Sequence, residues 1–194
     1  MKIASLAIGA LLVFCIPIGA QPAGAPSAPA PNPAYAQVAD VRGLPRVLLL
    51  GDSISIGYTL NVRAQLQGRA NVHRPGENCA QTAFGLKSLD KWLGEGTWDV
   101  IHFNFGLHDM KYLDAAGTYV TPDKGKQVAL LPEYEANLRG LVARLKRTGA
   151  KLIFATTTPV PSASSGRVEN DELRYNTVAV GVMKELGVAI DDLH

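Results

Sequence analysis

From residue 46 onward, short apolar runs alternate with longer stretches whose apolar residues recur at helical spacing, and this alternation limits the chain to few folds. Residues 47–50 (VLLL) form a continuous apolar run, as a parallel strand buried on both faces requires. Residues 57–68 suit a helix, with Leu60, Ala64 and Leu66 near one face, and a short strand is expected over 71–74. Leu86, Leu89 and Leu93 fall at i, i+3 and i+7, which predicts a helix over 82–93. The run 98–105 (WDVIHFNF) is rich in β-branched and aromatic residues and reads as a strand. Pro132 suits a first helical turn, and Tyr134, Leu138, Leu141, Val142 and Leu145 carry one apolar stripe towards Thr148 before Gly149 stops it. A strand over 151–156, a helix over 172–186 and a strand over 188–190 complete the pattern. Strands alternating with helices imply a parallel sheet covered by helices on both faces, with the reactive site beyond the carboxyl ends of the strands. Three turns fall there: GDS (51–53), GLHD (106–109) and DDLH (191–194).

The length of 194 residues suits one domain, and 47% apolar with 19% charged residues excludes a disordered chain. A net charge of +2 without a basic stripe gives no nucleic-acid surface. Residues 1–20 place Lys2 before an apolar run broken by Gly9, Pro17 and Gly19 and ending in small residues, the layout of a secretory signal peptide cut after Ala20. Export to the periplasm or the extracellular space is therefore expected, with an uncleaved anchor as the alternative and no stable membrane insertion after cleavage. Residues 21–40, rich in Pro and Ala, read as a spacer, and residues 41–194 as the folded domain. Removing the signal takes Cys15 with it, so Cys79 is left without an internal disulfide partner.

Ser53 in RVLLLGDSISIG has two readings on this segment alone. Ser53 or Ser55 could cap the next helix; equally, Ser53 could stand at the mouth of the sheet, where the positive helix end stabilises negative charge on a substrate. The rest of the chain favours the second. GDS after VLLL, GLHD after DVIHFNF, the YEANL helix (134–138), the strand ending TTTPVP (156–161), and RYN (174–176) leading to GVAIDDL (187–193) together resemble the GDSL/SGNH hydrolase family, from residue 46 to the C-terminus.

The resemblance implies a three-layer α/β/α sandwich with a parallel, flavodoxin-like sheet, and an esterase or lipase with a Ser nucleophile and a His base. It makes Ser53 the nucleophile, with its own backbone N–H as one oxyanion donor. The family's oxyanion glycine falls at Gly76 or, counting back from Thr82, at Ala80, which is preferred because a backbone N–H at negative φ is all the position must supply. The family's oxyanion asparagine is replaced by His108, whose neutral imidazole can donate one hydrogen bond; Asn104 is a weaker substitute whose bland reading is a buried amide tying strand ends. The family's Asp-x-x-His is matched in spacing by Asp191 and His194, but these directly continue a strand instead of following a loop, so the domain is expected to be C-terminally incomplete and to lack its last helix. No cofactor is implied, and no ligand spacing points to a metal.

The remaining candidates have structural readings: His102 as a hydrogen-bonded core residue, His73 as an exposed strand end, Cys79 as packing, Asp52 as a turn-fixing acceptor, and Trp92 and Trp98 as core. Loop 110–131 is expected to wall the pocket. The function expected is an exported serine esterase or acylhydrolase acting on a small-molecule, carbohydrate or lipid ester through an acyl-enzyme on Ser53. The alternative is a non-hydrolytic ligand-binding domain, for example for carbohydrate, on the same fold. A phosphate-binding module is disfavoured, since the first turn has neither a Gly-rich cradle nor a Lys-Ser/Thr pair.

Overall fold

The computed structural model describes residues 30–194, and Pro31–His194 forms one compact unit. The export signal expected over residues 1–20 and spacer residues 21–29 lie outside the described residues. No helix among the described residues is long and apolar enough to cross a membrane.

In chain order the elements are β1 (Arg46–Leu50), α1 (Ser53–Gln65), β2 (Asn71–His73), α2 (Thr82–Leu93), β3 (Val100–Asn104), β4 (Tyr112–Leu113), β5 (Lys126–Gln127), α3 (Leu131–Lys146), β6 (Lys151–Ala155), α4 (Asp171–Glu185) and β7 (Ala189–Asp191). Five strands form a parallel sheet in the order β2-β1-β3-β6-β7. This is the expected α/β architecture with flavodoxin-like strand order. Its topological switch point lies between β1 and β3, so the turns after these two strands flank the crevice where such sheets bind ligands.

Alternation along the strands divides the packing between two faces. Leu48, Leu50, Ile101, Phe103 and Phe154 join Leu89, Leu138, Leu141, Tyr175 and Met183 of the helices in one buried cluster. Phe103 stacks edge-on against Phe154 with ring centroids 5.3 Å apart. Glycines let the helices approach closely here. A Cβ on Gly85 of α2 would sit 2.9 Å from the Phe105 ring, and one on Gly140 of α3 would sit 3.2 Å from Leu86. On the opposite face, Val47, Leu49, Val100 and Ile153 line a groove of 490 Å³ with Tyr58 and Val62 of α1.

Several local expectations shift. Helix α1 starts at Ser53, four residues earlier than the apolar pattern indicates, because the Asp52 carboxylate caps it by accepting from the Ile54 N–H at 2.9 Å. Loop 110–131 contains the two-stranded antiparallel hairpin of β4 and β5. Residues 31–40, read as spacer, are packed: Pro33–Tyr35 forms a 3₁₀ turn with Ala34 buried, and Arg63 donates to the Pro33 and Ala36 carbonyls. His73 is not a free strand end. Its Nε2 lies 2.6 Å from Asp40, and its ring meets Trp98 edge-on.

Candidate active site

Ser53 is exposed at the first position of α1, immediately beyond the carboxyl end of β1. At that position its backbone N–H has no partner within the helix. The turn beneath it is buried and fixed. Asp52 is fully buried; one carboxylate oxygen caps α1 and the other, Oδ2, has no hydrogen-bond partner. Burial raises its pKa, opposed by the Ile54 hydrogen bond and by the charges of Arg167, Lys111 and Arg74. Asp52 therefore fixes the turn, as its sequence position suggested.

The guanidinium of Arg74, a residue only 5% exposed, organises this turn from outside it. It donates to the Ser55 hydroxyl at 3.2 Å, the Thr59 hydroxyl at 3.0 Å and the Gly51 carbonyl at 3.4 Å. It also donates to the carbonyls of Pro75 at 3.3 Å and Glu77 at 3.4 Å. One side chain thus ties the serine turn to the loop after β2. The Cys79 N–H adds a second tie, donating to the same Gly51 carbonyl at 3.2 Å. Sequence reasoning missed Arg74, because nothing in HRPG distinguishes it from a surface arginine. Cys79 itself is packing, as expected: burial pushes its thiol up to about 12.

Ala80 departs from expectation. Its φ is +51°, in the left-handed region, and its N–H already donates to the Asn78 side chain at 2.9 Å in an Asx turn. Negative φ was the condition for treating alanine as an equal of glycine, and the loop does not meet it. An L-residue there carries backbone strain of about 1 kcal/mol. Ala80→Gly is expected to raise stability by about 0.5 kcal/mol, the relief being partly offset by glycine's larger unfolded-state entropy. Chemical denaturation checks this. Gly76 is exposed and lines a separate groove with Gln37, Lys91 and Trp92.

His108 is half-buried in the turn after β3. Burial, together with the charges of Lys111 and Arg167, lowers its pKa to about 4, so the imidazole is neutral across the physiological range. Asn104 takes the bland reading. It is fully buried, and its Nδ2 donates to the carbonyls of Ala155 and Thr156 at 3.0 and 3.2 Å, tying β3 to the end of β6. It is not placed to meet a substrate.

Asp109, next to His108, accepts from the Thr82 N–H at 3.0 Å at the start of α2, and from the Thr82 hydroxyl, which also accepts from Asn137. Burial nevertheless raises its pKa to about 7. The native state then binds more protons than the unfolded chain between the ordinary carboxylate value and pH 7, so stability falls as pH rises through that window and levels off above it. Between pH 5 and 8 the wild type should lose a few kcal/mol of stability relative to Asp109→Asn, a comparison in which the opposite contribution of His108, whose lowered pKa makes stability rise with pH below about 6.5, cancels. Calorimetric scans at the two pH values check it.

Asp191 and His194, which match the family's spacing, do not pair with each other. The Asp191 carboxylate is 3.0 Å from His102 Nε2, and His102 Nδ1 is 3.3 Å from the Tyr58 hydroxyl. His194 Nε2 instead lies 3.4 Å from buried Glu172. The reason is geometric. Residues i and i+3 share a face on a helix, but β7 ends at Asp191 and no helix follows it; the His194 N–H donates to the Asp192 carboxylate at 3.1 Å. β7 is also three strands from β1, about 14 Å at ordinary strand spacing. Among the described residues, no imidazole is hydrogen-bonded to Ser53. His102 is a hydrogen-bonded, largely buried residue, as anticipated.

No family model and no curated protein matches the chain. Solved structures do. It is similar to the acetyl xylan esterase AlAXEase (TM-score 0.61, 13% identity, 76% of this chain and 77% of that one). It is also similar to a lipase/acylhydrolase from Enterococcus faecalis (TM-score 0.59, 20% identity, 77% and 76%). A third is Axe2, an acetylxylan esterase from Geobacillus stearothermophilus (TM-score 0.60, 20% identity, 75% and 74%). At these identities the likeness speaks to architecture alone, and it agrees with the five-stranded parallel sheet flanked by helices. The chain has the GDSL/SGNH hydrolase fold.

Proposed function

We propose that the protein is an exported serine esterase that cleaves a carboxylic ester through an acyl-enzyme on Ser53. The observation that carries this is the exposed Ser53 hydroxyl at the first turn of α1, on a fold shared with ester hydrolases. Ser53 Oγ adds to the ester carbonyl while its proton passes to a solvent water. The oxyanion so formed is stabilised by the Ser53 N–H at the positive end of α1 and by the neutral His108 imidazole. Collapse expels the alkoxide, to which that solvent water returns a proton as it departs, and water then releases the acyl group. His108 acts as a donor and not as the base, since burial and its cationic neighbours lower its pKa to about 4 and so disfavour the imidazolium that a base would become. His108→Ala should lower kcat about 100-fold while changing KM less than about threefold, the pattern of a contact made in the transition state. Equal losses in both would remove His108 from this role. Export rests on the layout of residues 1–20.

One observation favours a second reading, a non-hydrolytic ligand-binding domain: no imidazole among the described residues touches Ser53. A fluorophosphonate probe separates the two. Covalent labelling of the folded protein, lost in Ser53→Ala, is the result expected of the esterase. Absence of labelling would leave the binding domain.

A further inference from the structure

Two cations stand beside the serine turn without a carboxylate partner. Lys111 is only 8% exposed and Arg167 is half-buried, yet among the described residues neither forms an ion pair. Both converge on one aromatic ring: Lys111 Nζ is 4.9 Å and Arg167 Cζ 6.0 Å from the Tyr119 centroid. The platform is held firmly. The Tyr119 ring lies against Gly166, where a Cβ would come within 2.9 Å of it. The Gly166 carbonyl accepts from Tyr112 N–H, and the Lys111 carbonyl accepts from Val128 N–H, each at 2.8 Å. Arg167 Nε donates to the Leu107 carbonyl at 2.8 Å, fixing the guanidinium on the turn that carries His108 and leaving its two terminal nitrogens for something else.

Both charges are felt at His108 and at Asp52, the residues that flank the proposed oxyanion position and the nucleophile. Around this rim stand Arg74, Lys111, Arg167 and the positive end of α1, against two deeply buried carboxylates, Asp52 and Asp109, of which burial raises the pKa of the second to about 7. Arg74 already directs its donors to protein oxygens. A largely buried ammonium and a half-buried guanidinium whose nearest counter-charge, Asp52, lies beyond ion-pair distance are costly, and a burial of that kind is offset when an anion arrives. The end of a guanidinium matches a planar carboxylate bidentately, with the ammonium as a supporting point charge.

We propose that Lys111 and Arg167 form a carboxylate-recognising subsite next to Ser53, so that the preferred substrate is an ester that itself bears a carboxylate. The link to ester cleavage rests on the reading of Ser53 given above; the anion site does not.

The test therefore has a binding arm and a turnover arm. In the first, N-methylsuccinamate and its neutral counterpart N-methylbutanamide are titrated calorimetrically into the wild-type chain and Ser53→Ala at 20 and 500 mM salt. The anionic amide should bind at least 10-fold more tightly at low salt, and high salt should narrow the gap. Lys111→Met and Arg167→Gln should reduce the preference below about twofold. Lys111→Arg and Arg167→Lys should keep part of it and serve as controls if the neutral variants do not fold. Equal binding of the two amides by the wild-type chain, or a preference indifferent to all four variants, overturns the subsite; methyl sulfate competing as well as acetate overturns the carboxylate assignment. In the second arm, the kcat/KM ratio of mono-4-nitrophenyl succinate over 4-nitrophenyl butyrate should exceed 10 and fall in the same variants. A charge preference in binding with neither ester hydrolysed would refute the esterase reading alone.

Discussion

Replacing Ser53 by alanine is expected to lower kcat/KM for a carboxylic ester by about 10⁴-fold or more, with no change in stability beyond about 0.5 kcal/mol. The two halves of that expectation follow from one placement. Ser53 is exposed and the helix it begins is capped by Asp52, not by its own hydroxyl, so removing the oxygen disturbs neither packing nor cap. If Ser53 were the helix cap, the same change would cost about 1 kcal/mol and leave turnover untouched. Measuring ester hydrolysis and urea unfolding on one preparation separates the outcomes. Retained hydrolysis in Ser53→Ala would end the nucleophile assignment.

The second large effect belongs to Arg74→Met. The guanidinium serves five acceptors, and an apolar replacement of similar length leaves the carbonyls of Pro75 and Glu77 and the hydroxyls of Ser55 and Thr59 short of a donor inside the protein. The expected loss is about 3 kcal/mol, or roughly 10 °C in melting temperature for a domain of this size. Arg74 also sets the distance between the serine turn and the loop that carries Ala80. A variant kept fully folded at low temperature should therefore lose roughly 10- to 100-fold in kcat with KM little changed. Arg74→Lys should recover only part of this, because one ammonium cannot reach acceptors spread over five residues. Recovery of full kcat by lysine would reduce Arg74 to a source of charge.

Much of the scaffold was legible because its cause is local. Helix α2 spans Thr82–Leu93, as its leucine spacing indicates, and the apolar run VLLL became β1, an interior strand of the sheet. Helix α1 was placed late because SISIG carries β-branched residues and no clean stripe; its start is set by the Asp52 side chain, which the apolar pattern does not register. At the site, the turn that closes a buried strand offered Ser53 with two readings, and only the resemblance carried by the rest of the chain favoured the nucleophile. Arg74, Lys111 and Arg167 could not be found, since each acquires its role from partners far along the chain. The Asp191–His194 spacing was uninformative for a related reason: a spacing carries meaning only once the backbone conformation is known, and no helix forms there. The left-handed Ala80 was likewise hidden, since alanine gives no sign of the positive φ that a glycine would have suggested.

Gly85 has a mechanical consequence. Its missing side chain lets the Phe105 ring press directly against the α2 backbone, one turn from Thr82 and one residue before Gly106. Thr82 is in turn bound to Asp109. The lip formed by the loop before α2 and the lip formed by the turn after β3 are thus parts of a single stiff jaw, without slack between them. Access for a bulky ester has to be won on the other side, from the stretch between β6 and α4 that carries Arg167.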